Sequence, residues 1–236
     1  MAAVAHPPNA HPSRARVPRR LVLVPTRAEL EVVASGLSEF DVDVELCGFG
    51  PIAAAARTAA LIGRFRPASA LLVGIAGGLA EGTAVGTAIE FGAVACYGVG
   101  AGSGPAFQPA QRLGWQQWPG TAGQAPMGDA LVLDPHAPPS PALESPAEGP
   151  WLVTACSAAA SPAEARWREQ VCPGAVAEDM EGFGVALACA MAGVPLRIVR
   201  GISNRAGDRD KSRWDIPAAL AAAVSAVGQM GLPRKS

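Results

Sequence analysis

Short unbroken apolar runs, each followed by a stretch with helical spacing, constrain this chain more than any other feature. LVLVP (21–25) leads into ELEVVASGL, where carboxylates and aliphatics repeat helically and Gly36 stands near the end. VDVELCGFG (42–50) reads as a strand closing in a glycine turn, and PIAAAARTAALIGRF as a helix with Pro51 in its first turn. SALLVGIAGGLAEG (69–82) is a third strand, and TAIEFGAVACYGVG (87–100) a fourth with Gly92 as a bulge position. WLVTACS (151–157), the start of AVAEDMEGFGVALACAMAG (175–193) and PLRIVRGIS (195–203) add three more. Helices are expected over SPAEARWREQ, where Ser161, Pro162 and Glu164 form a helix start, over the rest of 175–193, and over IPAALAAAVSAVGQM (216–230). A continuous apolar strand is buried on both faces, so the alternation predicts a three-layer α/β fold. Its centre is a mixed, mainly parallel sheet flanked by helices.

A chain of 236 residues suits one sizeable domain, expected over 20–232. Residues 1–19 carry Pro and Arg without an apolar h-region, which predicts a disordered extension rather than a secretory signal. Residues 103–149 are rich in Gly, Pro and Ser and read as a long, partly mobile excursion. Net charge is −1, so nothing draws the chain to nucleic acid or to an anionic membrane. Its apolar runs are broken long before membrane-spanning length. Five cysteines without a CxxC pair suggest reduced core thiols in a cytoplasmic protein. His6, His11 and His136 are the whole histidine supply, which leaves neither a histidine-based triad nor a zinc site in prospect. GIAGG lacks the GxGxxG spacing of a dinucleotide fingerprint. No metal or cofactor is expected; carboxylates, amides and backbone groups must carry the chemistry.

In a parallel α/β sheet the ligand lies beyond the carboxyl ends of the strands. Those ends supply Glu29, the Gly48–Pro51 turn, Ile75, Ala76 and Gly77 with Gly78, Ser157 and Ala158 after Cys156, Glu178 to Glu181, and Ser203 to Asp210. AEDMEG (177–182) sets Glu178, Asp179 and Glu181 beside Met180 at a strand-to-helix junction. Acidic residues there can simply complement the helix dipole. Glu181, however, opens the face of an otherwise apolar helix, and two sugar hydroxyls would satisfy both of its oxygens. GISNRAGDRD (201–210) reads either as a solvated loop of mutually neutralising charges or as a grip on a ligand. Asn204, at the exit of a buried strand, presents a donor beside an acceptor and so suits an oxo group next to a ring N–H.

GFGPIAAAA, GIAGGL, DMEG and VRGISN, in this order and at about this spacing, resemble the nucleoside phosphorylase / methylthioadenosine nucleosidase superfamily over roughly residues 20–232. The run ISNRAGDRDKSRWDI most resembles its futalosine hydrolase subfamily, from the alternative menaquinone route. The resemblance implies that the substrate is futalosine, a small-molecule nucleoside, and that Glu29 activates the attacking water. It also implies that Glu181 grips the ribosyl hydroxyls and that Met180 packs on the sugar. Asn204 stands where the nucleosidases carry an Asp. That departure fits a 6-oxopurine such as hypoxanthine, because an amide cannot be a general acid but can bond O6 and N7. Ile75, Ala76, Gly77, Ser157, Ala158 and Asp179 fall among the substrate-binding positions. Asp208 either relays a proton through water or stabilises its turn. Futalosine also bears a remote aromatic carboxylate, and Arg57, Arg205 and Arg209 are the candidates to meet it. A homo-oligomer, dimer or tetramer, is implied. The alternatives are a purine nucleoside phosphorylase, although the phosphorylase GDP-x-R loop is replaced here by VPTRAE, and a methylthioadenosine/S-adenosylhomocysteine-type nucleosidase. A third is a non-catalytic nucleoside-binding domain on the same fold.

Overall fold

The computed structural model describes residues 20–133 and 149–235. The N-terminal extension expected over 1–19, the three histidines and the 134–148 part of the excursion lie outside the described residues. The elements run β1 (Arg20–Val24), α1 (Arg27–Gly36), β2 (Val42–Leu46), α2 (Pro51–Phe65), β3 (Ser69–Gly78), β4 (Ala88–Phe91) and β5 (Ala93–Tyr97). Two short strands, β6 (Gly100–Ala101) and β7 (Gln108–Pro109), pair with each other, and β8 (Ala130–Val132) follows. Then come β9 (Trp151–Ala155), α3 (Pro162–Val171), β10 (Ala175–Asp179), α4 (Gly182–Ala192), β11 (Leu196–Arg205) and α5 (Ile216–Gly228).

Nine strands join one sheet among the described residues, in the order β2-β1-β3-β10-β9-β5-β8, with β11 against β3 and β4 against β11. The pairs β1–β2, β1–β3, β3–β11, β9–β10 and β5–β9 are parallel, whereas β3–β10, β4–β11 and β5–β8 are antiparallel. The sheet is therefore mixed and mainly parallel, as the alternation predicts. Successive strand residues serve opposite faces. Leu21, Leu23, Leu72 and Ile198 pack with Leu61 of α2 and Val185 of α4. Val22, Val24, Leu71, Val73 and Val199 pack with Val33 of α1 and Ala223 of α5. Burying both faces in this way requires helices on either side, which gives the three layers.

Two features differ from the sequence reading. The run 87–100 is not one strand bulged at Gly92: it breaks there into β4, beside β11, and β5, beside β9. The Gly92 amide donates to Pro150 O at 3.0 Å and its carbonyl accepts from Leu133 N at 2.9 Å, so both backbone groups are satisfied outside either strand. The circuit β4–β11–β3–β10–β9–β5 thus closes on itself through Gly92. The excursion, for its part, supplies β8 to the sheet, a strand too short for a period to register.

One close approach sets where the site forms. A Cβ on Gly201 would sit 1.9 Å from Ala219 O, so α5 can lie directly against β11 only because that position is bare. This contact holds the end of β11, with Ser203 and Asn204, beneath the start of α5.

Candidate active site

The carboxyl ends of β1, β3, β10 and β11 surround a cavity of about 550 Å³, a size usual for small-molecule sites. Glu29, Ile75, Ala76, Gly77, Ala158, Asp179, Met180, Glu181, Asn204 and Arg209 all line it. Ser157 and Asp208 are not on its wall. The Ser157 carbonyl instead accepts from Arg168 Nη2 at 2.8 Å. Asp208 Oδ1 accepts from Asp210 N and from Arg213 Nη2, both at 3.0 Å, which is the turn-stabilising alternative for that residue.

Glu29 owes its position to a helix start. Thr26 caps α1: its hydroxyl accepts from Glu29 N, and the Glu29 carboxylate accepts from Thr26 N at 3.1 Å and Thr26 Oγ1 at 2.5 Å. Its other oxygen accepts from Ile75 N at 3.0 Å, tying the first helix to the glycine-rich end of β3. The side chain is buried at 5% exposure.

The acidic group of β10 divides its labour. Asp179 takes the helix-start role: its Oδ2 accepts from Gly182 N at 2.9 Å and its Oδ1 from Thr154 Oγ1 at 2.6 Å, while Thr154 Oγ1 caps Phe183 N. Its oxygens are spent inside the protein, so it orders the site from behind. Glu178 pairs with buried Arg168 and accepts from Ala159 N at 2.9 Å, which fixes the 157–160 loop against the cavity. Glu181 is left facing the cavity, with Oε1 accepting from Gly50 N at 3.0 Å and Oε2 from Arg200 Nη2 at 3.2 Å. Burial pushes its pKa up to about 7; Asp179 and Glu29 add to the rise, and Arg200 and the Gly50 amide oppose it.

Arg200, on β11, is the residue sequence reasoning missed. It is wholly buried and donates to Asp179 Oδ2 from Nε at 3.1 Å and from Nη2 at 2.5 Å. Burial works to lower its pKa, but Asp179, Glu181 and Glu29 together lift it above the ordinary value. Its Nη1 has no hydrogen-bond partner. That nitrogen and Glu29 Oε1 crowd the same point over Gly74, where a Cβ would lie 2.3 Å from one and 2.7 Å from the other. The signal was there to read: Arg200 stands between Val199 and Gly201–Ile202 in the last apolar strand, where a buried arginine demands anions, and AEDME is the acidic cluster able to supply them.

Asn204, next to last in β11, lies level with Gly77, and Glu178 lies level with the same glycine on β3's other side. Asn204 Oδ1 accepts from Ser203 Oγ and its Nδ2 donates to Arg205 O, both at 2.8 Å. This fixes the amide while leaving one lone pair and one N–H for a ligand. Phe49 and Trp214, neither singled out from sequence, add aromatic wall.

A fold of this topology with paired carboxylates at the strand ends defines a class. The chain belongs to the phosphorylase superfamily, whose family model matches residues 23–232. Within it, the chain is similar to futalosine hydrolases. It is 35% identical to that of Streptomyces coelicolor over 200 residues, 80% of this chain and 77% of the relative. It is 34% identical to that of Acidothermus cellulolyticus over 227 residues, 90% of each chain. Among solved structures, the 5′-methylthioadenosine/S-adenosylhomocysteine nucleosidase of Neisseria meningitidis shares the fold with a TM-score of 0.68 at 17% identity. That match covers 89% of this chain and 97% of the other.

Proposed function

We propose that this protein hydrolyses the N-glycosidic bond of futalosine, releasing hypoxanthine and dehypoxanthine futalosine in the alternative menaquinone route. The observation that carries this reading is the meeting of Glu29, Glu181 and Asn204, far apart in sequence, on one cavity wall. Breaking the bond builds oxocarbenium character on the ribose and negative charge on the purine. Glu181, when ionised, accepts from the ribosyl hydroxyls and favours the cationic ring. Glu29 takes the proton of a water directed at the anomeric carbon. Asn204 donates to and accepts from the O6 and N7 edge of the departing purine.

A phosphorylase would need cationic side chains free to meet phosphate. Of the two arginines that would suit a phosphate near the first strand and the glycine turn, Arg57 is held by Glu45 and Leu46 O, and Arg27 is exposed and off the cavity wall, which favours water as the nucleophile. Among the described residues no helix is long and apolar enough to cross a membrane, and all five cysteines are free. A cytoplasmic homo-oligomer, dimer or tetramer, accords with these features. Ile52 at 81% and Trp115 at 71% exposure are apolar surface that a partner subunit would cover. The test is incubation with futalosine, inosine and methylthioadenosine in phosphate-free buffer. Free hypoxanthine from futalosine is expected, without ribose 1-phosphate-type product when phosphate is added. Phosphate-dependent turnover, or release from methylthioadenosine alone, overturns the assignment.

A further inference from the structure

One buried ion pair takes no part in the chemistry above. Arg168, inside α3, pairs with Glu178 of β10, and both side chains are withdrawn from solvent. The arginine's Nη2 donates to Ser157 O at 2.8 Å, and its guanidinium lies over the Tyr97 ring, 5.5 Å from the centroid. Glu178 in turn accepts from Ala159 N at 2.9 Å, while Glu164, one turn earlier on α3, accepts from Ala160 N at 2.8 Å. Three backbone groups of one short segment are thus held by side chains from α3 and β10. Within that segment, Ala158, Ala159 and Ala160 line the cavity. Alanine has no polar group of its own beyond the backbone, so these bonds set where the segment lies.

Packing alone does not account for the pair. Apolar side chains of similar volume would be buried at less cost, and Arg168 Nε, buried with no hydrogen-bond partner among the described residues, adds to that cost. What the ions supply is direction, because a planar guanidinium meets the Ser157 carbonyl and the Glu178 carboxylate at once. Their location shows what is being directed. Glu178 and Asn204 lie level with Gly77 on opposite sides of β3, and Gly77 has no side chain to fill the space between them. A base held at Asn204 therefore lies over Gly77 and meets the 158–160 backbone on its far side. We infer that Arg168 is a positioning residue for base binding: through Glu178 and the Ser157 carbonyl it sets the distance between Asn204 and the Ala158–Ala160 segment. The inference rests on the functional reading above, in which Asn204 takes the base.

The test is steady-state hydrolysis of futalosine with hypoxanthine as product inhibitor. Arg168→Met strands the Glu178 carboxylate and can unfold the chain. The measurement is therefore made on Arg168→Met/Glu178→Gln, which leaves neither charge of the pair buried and keeps an acceptor for Ala159 N. In this double variant KM and the hypoxanthine inhibition constant are both expected to rise about tenfold, the factor for one hydrogen bond's worth of base contact, with kcat within about threefold of the parent. A pair that serves stability alone lowers the folded fraction and so the apparent kcat, and moves neither of the other two constants. Arg168→Lys, whose single ammonium meets Glu178 without also spanning to Ser157 O, is expected to keep thermal stability near the parent's and to show part of the rise in KM. Parent-like KM and inhibition constant in the double variant overturn the positioning role while leaving futalosine hydrolysis standing; if that variant does not fold, the same two constants in Arg168→Lys decide. Failure of the unmodified protein to release hypoxanthine overturns the functional reading, and the positioning role falls with it.

Discussion

Glu181 gathers two demands that pull against each other. To accept from two hydroxyls and favour an oxocarbenium ion it must be ionised, yet its burial beside Asp179 and Glu29 holds the pKa near 7. The kcat/KM for futalosine should therefore fall about tenfold per pH unit below 7, an acid limb set by the free enzyme. A flat profile from pH 5 to 7 would remove Glu181 from the ionised role. The same shift couples to folding. The unfolded carboxyl titrates near 4.5 and the folded one near 7, so the folded chain holds the extra proton between those values. Glu181 consequently weakens the fold progressively as pH rises through that window, and the loss is complete above it. Glu181→Gln removes this titration. The Tm of the variant minus that of the parent is expected to be more positive at pH 8 than at pH 5, as differential scanning calorimetry would show. The cost at neutral pH is the familiar one of a functional group kept in a site that opposes its working charge.

At the scale of elements, β11 unites the site, since Arg200 and Asn204 ride on one strand whose position depends on α5. Replacing Gly201 with Ala drives a Cβ into the Ala219 carbonyl. The expected loss is about 1–3 kcal/mol in urea denaturation, with a larger fall in kcat than in KM as Asn204 and Arg200 shift. Gly63, exposed inside α2 with nothing within 4 Å of its missing Cβ, is the control: Gly63→Ala should stabilise by about 0.5–1 kcal/mol. Helices with a stop or start in their residues, such as α2 behind Pro51 and α3 behind Ser161, were legible from sequence because the capping chemistry is local. The break between β4 and β5 was not. Residues 88–97 read equally well as one strand, and only the pairing of β4 with β11 and of β5 with β9 separates them. Such partners lie about a hundred and about sixty residues away, beyond any local period.

For the whole molecule, the layer order followed from apolar runs alternating with helices, and the cavity from the rule that such sheets bind at strand ends. Neither rule says which charged side chains at those ends turn inward. Asp179 and Glu181 stand two residues apart in DME, yet one caps α4 and the other faces the cavity. That division depends on Thr154 and Arg200, brought in from two other strands. The site is thus a property of closure: β1, β3, β10 and β11 must all be in place before Glu29, Glu181 and Arg200 meet. Ligand binding should then stabilise the whole fold, because the unfolded chain has no such site. Glu29→Gln keeps the capping geometry, since Gln also suits that helix position, and removes the base that the proposed mechanism assigns to water activation. It is expected to bind futalosine without cleaving it. At a ligand concentration about 100-fold above Kd, the gain of about 2.7 kcal/mol corresponds to a Tm rise of roughly 5–10 °C for a chain of this size. Glu181→Gln, which loses the hydroxyl grip, should rise much less under the same conditions. If Glu29→Gln releases hypoxanthine at the parent rate, the water-activating role belongs to another residue. If it neither cleaves nor gains stability, Glu29 holds the substrate rather than the water, and the two carboxylates exchange their assignments.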